Sequence, residues 1–480
     1  MSINVREVER DQLWLMPPSV RDWLPEDHLA WFVLDVVAEL DLAEFHAAYR
    51  PDGRGGAVYD PALVLGVLFY AYAVGEHSSR RIERRLVEDV AFRVVAANQQ
   101  PDHATLARFR ARHQDAIAGL FAQVLGLCIA EGLVAAGTVA IDGTKIEANA
   151  SAWSNRTRRQ IADEILAEAD RVDRTEDAEL GERRGGELPE RWASPGDRRA
   201  RLREALRQLD ERGASDWESY RAERAAKEAA LGRKLPGRKP SPDSAKGKER
   251  QANTTDPDSR MLRARNRFLQ GYNGQAAVSE DQVIVAAELT NAANDSTMFT
   301  PMVDATEANL EQAGRPEGVG TYVADAGYWS VPNVTAPTDA EVLIAPMPAT
   351  NGITDPDDPR IAARSEVLDR LDTGELTLAA AAAEMGVSTT WARKLREDRR
   401  HGGVDPARLR KDILDRLASD QGKSIYAKRK ITVEPVFGNI KANLRFRRFS
   451  RRGTAAALSE WRLICSIHNL RKLHAVRLAT

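Results

Sequence analysis

Three acidic residues stand in contexts suited to metal-assisted phosphodiester chemistry: Asp142 in VAIDGTKIEANAS, Asp325 in YVADAGYW and Glu434 in YAKRKITVEPVFGNIK. Hard cations such as Mg²⁺ and Mn²⁺ prefer carboxylate oxygen and keep positions open for water and phosphate. Two such ions roughly 3.5 to 4 Å apart can activate an attacking oxygen and stabilise a leaving one. The expectation is therefore a carboxylate triad holding two Mg²⁺, with Mn²⁺ as a substitute. Against it stands abundance, because the chain has 71 Asp and Glu and most acids at strand ends or helix starts are simply solvated.

The triad needs elements that bring distant positions together. Thr138 to Ile141 and Gly320 to Ala324 are short runs of β-branched or small residues that end at an aspartate and a glycine turn. Each aspartate is thus expected at the carboxyl end of a strand, the edge where α/β sheets gather ligands. Glu434 directly precedes Pro435, a residue favoured in the first turn of a helix, and Phe437, Ile440, Lys441 and Leu444 recur at helical spacing. Glu434 is expected to open that helix, with Lys441 on the same face.

Further blocks accompany these segments: YDPALVLGVLFYAYAVGEHSSRRIE (59 to 83), PDHATLARFRARH (101 to 113), TDPDSR (255 to 260), GYNGQ (271 to 275) and EWRLICSIHNLRKL (460 to 473). With DGT, DAGY and VEPVFGNIK in this order, nearly the whole chain resembles bacterial insertion-sequence transposases of the DDE class. The resemblance implies an α/β fold: a ribonuclease H-like mixed sheet interrupted by helical insertions and preceded by an all-helical N-terminal domain. It implies Asp142, Asp325 and Glu434 as catalytic, metal-binding acids. Such transposases also carry a tyrosine, a basic residue and a lysine at fixed spacing around the last acid. The candidates here are Tyr426, Arg429 or Lys430, and Lys441. Which basic side chain takes that role stays open, because Lys430 has the expected gap before Glu434 whereas Arg429 lies closer to Tyr426.

The implied activity is hydrolysis of a phosphodiester at a transposon end, followed by attack of the freed 3′-hydroxyl on target DNA. The implied partners are double-stranded DNA, as terminal inverted repeats and as target. A homodimer on DNA is expected because two ends must be held together. Two other readings remain: a stand-alone metal-dependent nuclease, and an inactive DNA-binding regulator.

Charge supports a DNA partner once it is divided along the chain. The whole carries −2, yet residues 423 to 472 hold thirteen Lys or Arg against Glu434 and Glu460, a net +11 around the last acid. In LRFRRFSRRG (444 to 453), Arg445, Arg447 and Arg448 alternate with Phe446 and Phe449, a pattern expected to line a DNA path. Cys128 and Cys465 are too few for a disulfide scaffold, which suits a reducing cytoplasm. No apolar run approaches the roughly 20 residues that span a bilayer, so no membrane partner is expected.

The domain reading places an N-terminal helical domain at 1–135, with Arg80, Arg81, Arg84 and Arg85 as a candidate end-binding face. The catalytic domain is read as 136–155, 257–345 and 420–480. Residues 156–256 are an insertion, a charged antiparallel helical hairpin (156–232) followed by a Pro- and Lys-rich linker (233–256). The insertion at 346–419 contains LTLAAAAAEMGVSTTWARKLRED (376 to 398), which resembles a helix-turn-helix with Thr389, Thr390, Arg393 and Lys394 facing a groove. Gly271 to Ala287 reads as two strands joined by a turn, with Tyr272, Asn273 and Gln275 as supports for the active site. Trp329 reads as a base-stacking residue or as core.

Overall fold

A computed structural model describes residues 20–49, 58–135, 137–165, 167, 198–231, 250–264, 267–346, 359–402 and 406–479. Its centre is a six-stranded mixed sheet. Strand β1 is Thr138–Glu147; the small strands β2 (Asn155–Thr157) and β3 (Gln251–Asn253) pair apart from the sheet; then come β4 (Arg260–Ala264), β5 (Arg267–Ser279), β6 (Ile284–Thr290), β7 (Thr321–Ala324) and β8 (Glu341–Ile344). The order is β4-β5-β1-β7-β8, with β6 also paired to β5. β1, β5 and β6 form an antiparallel meander, whereas β7 and β8 join β1 in parallel.

β1 is longer than its β-branched run suggests. Asp142 lies in mid-strand, not at a strand end, because the antiparallel ladder to β5 continues from Val139 to Glu147. The parallel ladder to β7 stops at Ile141, so Asp142 does sit where that pairing gives out. Asp325 follows the last residue of β7, as expected.

The pleat assigns functional side chains to faces. Asp142 and Thr144 point to the face covered by the helices Asp420–Gly438 and Thr454–Arg477: Arg429 reaches Asp142, Lys441 reaches Thr144, and Trp461 lies over Gly274, the partner of Thr144. Gly143, Lys145, Asn273 and Gln275 point to the other face, where Tyr328 bonds to Gln275 and packs against Phe299, the first residue of the helix Phe299–Gln312.

Residues 20–135, where described, are helical, and they share one hydrophobic core with the sheet. The helix Pro61–Ala73 opens with Asp60 as side-chain cap and Pro61 in its first turn, and it is apolar on every side because it is buried on every side. A buried polar cluster ties these helices to the C-terminal one. Glu460 accepts hydrogen bonds from the Tyr72 hydroxyl (2.9 Å), the Ser450 amide (2.9 Å) and the Ser450 hydroxyl (2.6 Å), while Arg110 donates to Tyr72 (3.0 Å) and Ser450 (3.2 Å).

Several expectations require correction. Glu434 does not open a helix: it lies within Asp420–Gly438, a helix capped by Ser419, and Pro435 is interior to it. Proline removes the N–H that would have bonded the carbonyl four residues back. That carbonyl belongs to Ile431 and accepts from Gln282 Nε2 at 2.9 Å, so a side chain from the β5–β6 turn replaces the missing donor. The helix then widens into a π-helical stretch, Asn439–Asn443, which carries Lys441. Part of the supposed linker is strand β3, which pairs with β2 beside the start of the insertion. Of the charged hairpin read at 156–232, residues 156 and 157 belong to β2, and the other described portions are 158–165, 167 and the 34-residue helix Arg198–Leu231; Ile161 is buried with Leu202, Ala205 and Leu209. Residues 168–197 and 232–249 lie outside the described residues.

The helix-turn-helix pattern corresponds to Leu378–Glu384, capped by Thr377, a turn at Gly386 with φ +65°, and Thr389–Gly402. With Pro359–Asp372 these helices close their own small core of Val367, Leu368, Leu371, Ala381, Ala382, Met385 and Ala392. Among the described residues no single helix is long and apolar enough to cross a membrane.

Candidate active site

Asp142 and Asp325 meet because β1 and β7 are neighbouring parallel strands in register, Ile141 beside Ala324. Each carboxylate is held by a backbone amide that follows it, in mid-strand for Asp142 and in the turn Ala326–Tyr328 for Asp325. The Gly143 amide donates to Asp142 Oδ1 at 2.7 Å, and the Gly327 amide donates to Asp325 Oδ1 at 2.8 Å. Burial, with the charges of Asp325 and Asp295, pushes the Asp142 carboxyl up to about 6, against the opposing pull of the Gly143 amide and Arg429.

The helix Asp420–Gly438 delivers the counter-charge. Arg429 Nη1 lies 3.2 Å from Asp142 Oδ2, with both side chains largely buried, and its guanidinium lies 5.9 Å from the centre of the Tyr426 ring. Arg429 Nε is buried with no hydrogen-bond partner among the described residues. Of the two basic candidates, Arg429 therefore touches an aspartate, and Lys430 is exposed. Lys441 Nζ donates to the Thr144 hydroxyl and to the Lys145 carbonyl (3.1 Å), which places it along β1 just beyond Asp142.

Glu434 is solvent-exposed on this helix, about 1.4 turns past Arg429. Among the described residues no three His, Cys, Asp or Glu side chains gather closely enough to hold an ion. The donor chemistry at the sheet edge nevertheless fits a hard cation. Asp142 and Asp325 offer carboxylate oxygens, the charge of Asp325 disfavours that of Asp142, and a divalent ion would relieve that conflict.

Asp295, in NAANDSTMF, escaped the sequence reading because Asn, Asp, Ser and Thr ahead of an apolar run look like a helix cap. Its side chain turns to the sheet instead, and Oδ1 accepts from Asn273 Nδ2 (2.5 Å), Gln275 Nε2 (2.8 Å) and Lys145 Nζ (3.3 Å). Asn273 and Gln275, read as supports for the active site, thus bond to Asp295, while the Tyr272 hydroxyl donates to Asp256. Trp329 is half-buried and packs against the main core.

The basic segment is only partly the expected surface. Phe446 and Phe449 are buried and stack edge-to-face, so they line no DNA path. Apolar rings drawn into the core leave Arg445, Arg447 and Arg448 exposed between them, two of them braced by backbone carbonyls: Arg447 Nε to Lys441 (3.0 Å) and Arg448 Nε to Ala148 (3.1 Å). In the N-terminal helices Arg80 and Arg84 are exposed, whereas Arg81 pairs with Glu76 and Arg85 with Asp89. Thr389 and Thr390 are exposed, Arg393 is half-buried, and the Lys394 side chain lies outside the described residues.

Two family models match the chain. Residues 18–112 match "Transposase domain (DUF772)", and residues 390–474, which include Arg429, Glu434 and Lys441, match "Transposase DDE domain". The two matches, to an N-terminal and a C-terminal transposase domain in that order, support a DDE transposase of the insertion-sequence type. No curated protein and no solved structure matches it significantly.

Proposed function

We propose that this transposase cuts a phosphodiester at the end of its element and joins the freed 3′-hydroxyl to target DNA at one site formed by Asp142, Asp325 and Glu434. The observation that carries the reading is the pairing of Asp142 with Asp325 on adjacent parallel strands, beneath a helix whose Arg429 and Lys441 bring positive charge to the same edge. The strand order, an antiparallel meander joined by two parallel strands, supports a ribonuclease H-like catalytic domain.

Asp142 and Asp325 would hold Mg²⁺ or Mn²⁺, with Glu434 as the third acid. When bound, two such ions supply activation of the attacking oxygen and charge neutralisation at the leaving one. Arg429 balances the Asp142 charge and fixes the helix on β1. Lys430, Arg445, Arg447 and Arg448 offer exposed cations to a DNA backbone, Lys441 and Tyr426 flank the acids, and Arg393 and Lys394 are candidates for contact from the inserted helices. Double-stranded DNA is the partner, and two copies on two ends form the working assembly.

The test uses a labelled DNA fragment carrying the repeats that flank the gene, a supercoiled plasmid and Mg²⁺. Joined product supports transposition. Cutting without joining points to a nuclease, and metal-independent binding without any chemistry points to a regulator.

A further inference from the structure

We propose that Asp295 is a positioning residue that holds the carriers of Asp142 and Asp325 in one register. The inference rests on the transposase reading above.

Asp295 is the hub beneath the sheet edge. Its Oδ1 gathers Lys145 from β1 and both Asn273 and Gln275 from β5. Burying a carboxylate is costly unless donors compensate it, and here three donors converge on one oxygen. Gln275 extends the network across the sheet, because its Oε1 accepts from the Tyr328 hydroxyl. Tyr328 closes the turn Ala326–Tyr328 that Asp325 itself caps. Burial and the charges of Asp295, Asp142 and Asp325 hold the Tyr328 hydroxyl well above its usual range, so it stays a donor. One carboxylate is thereby linked to the strand that bears Asp142 and, through one amide, to the turn that bears Asp325.

The space above Asp295 is equally constrained. A Cβ on Gly143 would stand 2.7 Å from Asp295 Oδ1 and 2.9 Å from Asn273 Oδ1, and closer still to Gln275 Nε2. Asn273 Oδ1 is itself buried with no hydrogen-bond partner among the described residues. On the other side, a Cβ on Gly327 would lie 2.9 Å from Asp325 Oδ1 and 3.7 Å from Asp295 Oδ2. Gly143 lets the backbone of β1 approach the hub where any side chain would push it away, whereas at Gly327 a side chain would crowd the Asp325 carboxylate and no more than touch Asp295. A plain capping role does not explain this arrangement. The helix Phe299–Gln312 has no side-chain cap, and Asp295 contributes only its backbone carbonyl to that turn, accepting from the Met298 amide.

The experiment compares wild type, Asp295→Asn and Tyr328→Phe. Asp295→Asn keeps the shape and one acceptor but removes the charge that binds Lys145. In the full-length protein without metal or DNA, hydrogen exchange is expected to quicken in peptides covering 138–147 and 321–330 together, with the thermal midpoint nearly unchanged. Tyr328→Phe should quicken only the second peptide. In strand transfer, Asp295→Asn should raise the half-saturating Mg²⁺ concentration about 10- to 100-fold, the range found for groups that orient metal ligands. Wild-type exchange in both peptides, or wild-type Mg²⁺ dependence in Asp295→Asn, overturns the proposal. A wild-type protein that joins no DNA overturns the transposase reading instead, and the exchange measurement still decides whether Asp295 holds both segments.

Discussion

Arg429 and Asp142, 287 positions apart in the chain, form a largely buried ion pair at 3.2 Å that fastens the helix Asp420–Gly438 to β1. Its neighbour Lys430 points to solvent. The two adjacent cations should therefore differ in kind. Arg429→Ala is expected to lower strand transfer about 10- to 100-fold with modest loss of DNA binding, as for groups that orient metal ligands. Lys430→Ala should weaken binding alike for all sequences and reduce the salt slope by about one. Single-turnover rates and gel shifts across a salt series check both. Equal effects from the two variants would contradict the separation.

Gly143 leaves no room for a side chain. Gly143→Ala should cost about 1–3 kcal/mol by overpacking against Gln275, Asp295 and Asn273, and chemistry should be lost even where the protein remains folded. Urea unfolding and strand transfer on the same preparation test it; a variant as stable and active as wild type would show that β1 is held less tightly than described.

The cluster joining the N-terminal helices to the catalytic core invites a stability prediction. Glu460 and Arg110 are 2% and 7% exposed. Glu460→Ala leaves the Tyr72 hydroxyl and the Ser450 amide and hydroxyl without their acceptor and the buried Arg110 without its nearby counter-charge, and removing one member of a buried charged cluster costs about 3–5 kcal/mol. The urea midpoint should fall accordingly. A shift below about 1 kcal/mol would mean that water takes over these contacts.

Acid sensitivity should arise away from the active site. Burial lowers His77 and His468 to about 4. His468 Nε2 donates to the Gln282 carbonyl and Nδ1 accepts from Asn439 Nδ2, each at 2.9 Å, which leaves no place for a second proton. In the unfolded chain histidine titrates near 6.5. Above that pH both states are neutral and the full stability is present. As pH falls from about 6.5 to about 4, the unfolded state takes up protons that the folded state refuses, so stability is lost, on the order of 1–3 kcal/mol per histidine. Urea midpoints at pH 7.5 and 5 measure the loss, and an unchanged pH dependence in His468→Gln would remove that residue from the explanation.

How much of this was legible in the sequence depends on how local the cause is. The strand before Asp325 follows from neighbouring residue types and is where the pattern puts it. The role of Pro435 is not local. The carbonyl it orphans is satisfied by Gln282, 149 positions from Ile431, and no helix rule contains that contact. Phe446 and Phe449 were misassigned because arginines on either side outweighed the period-three spacing that buries both rings. Asp295 was invisible for the same reason as Gln282: its partners are on β1 and β5, and its neighbours in sequence suggest a cap.

The decisive measurement is strand transfer of a labelled element end into plasmid DNA in Mg²⁺ by wild type, Asp142→Asn and Asp325→Asn, with end binding followed in parallel by gel shift. The proposed site predicts joined product from wild type only, at least a thousandfold less from either variant, roughly the order expected when a group stabilising transition-state charge is lost, and binding retained by all three. Joined product from either variant at a rate near that of wild type would contradict the assignment of these two aspartates to the chemistry.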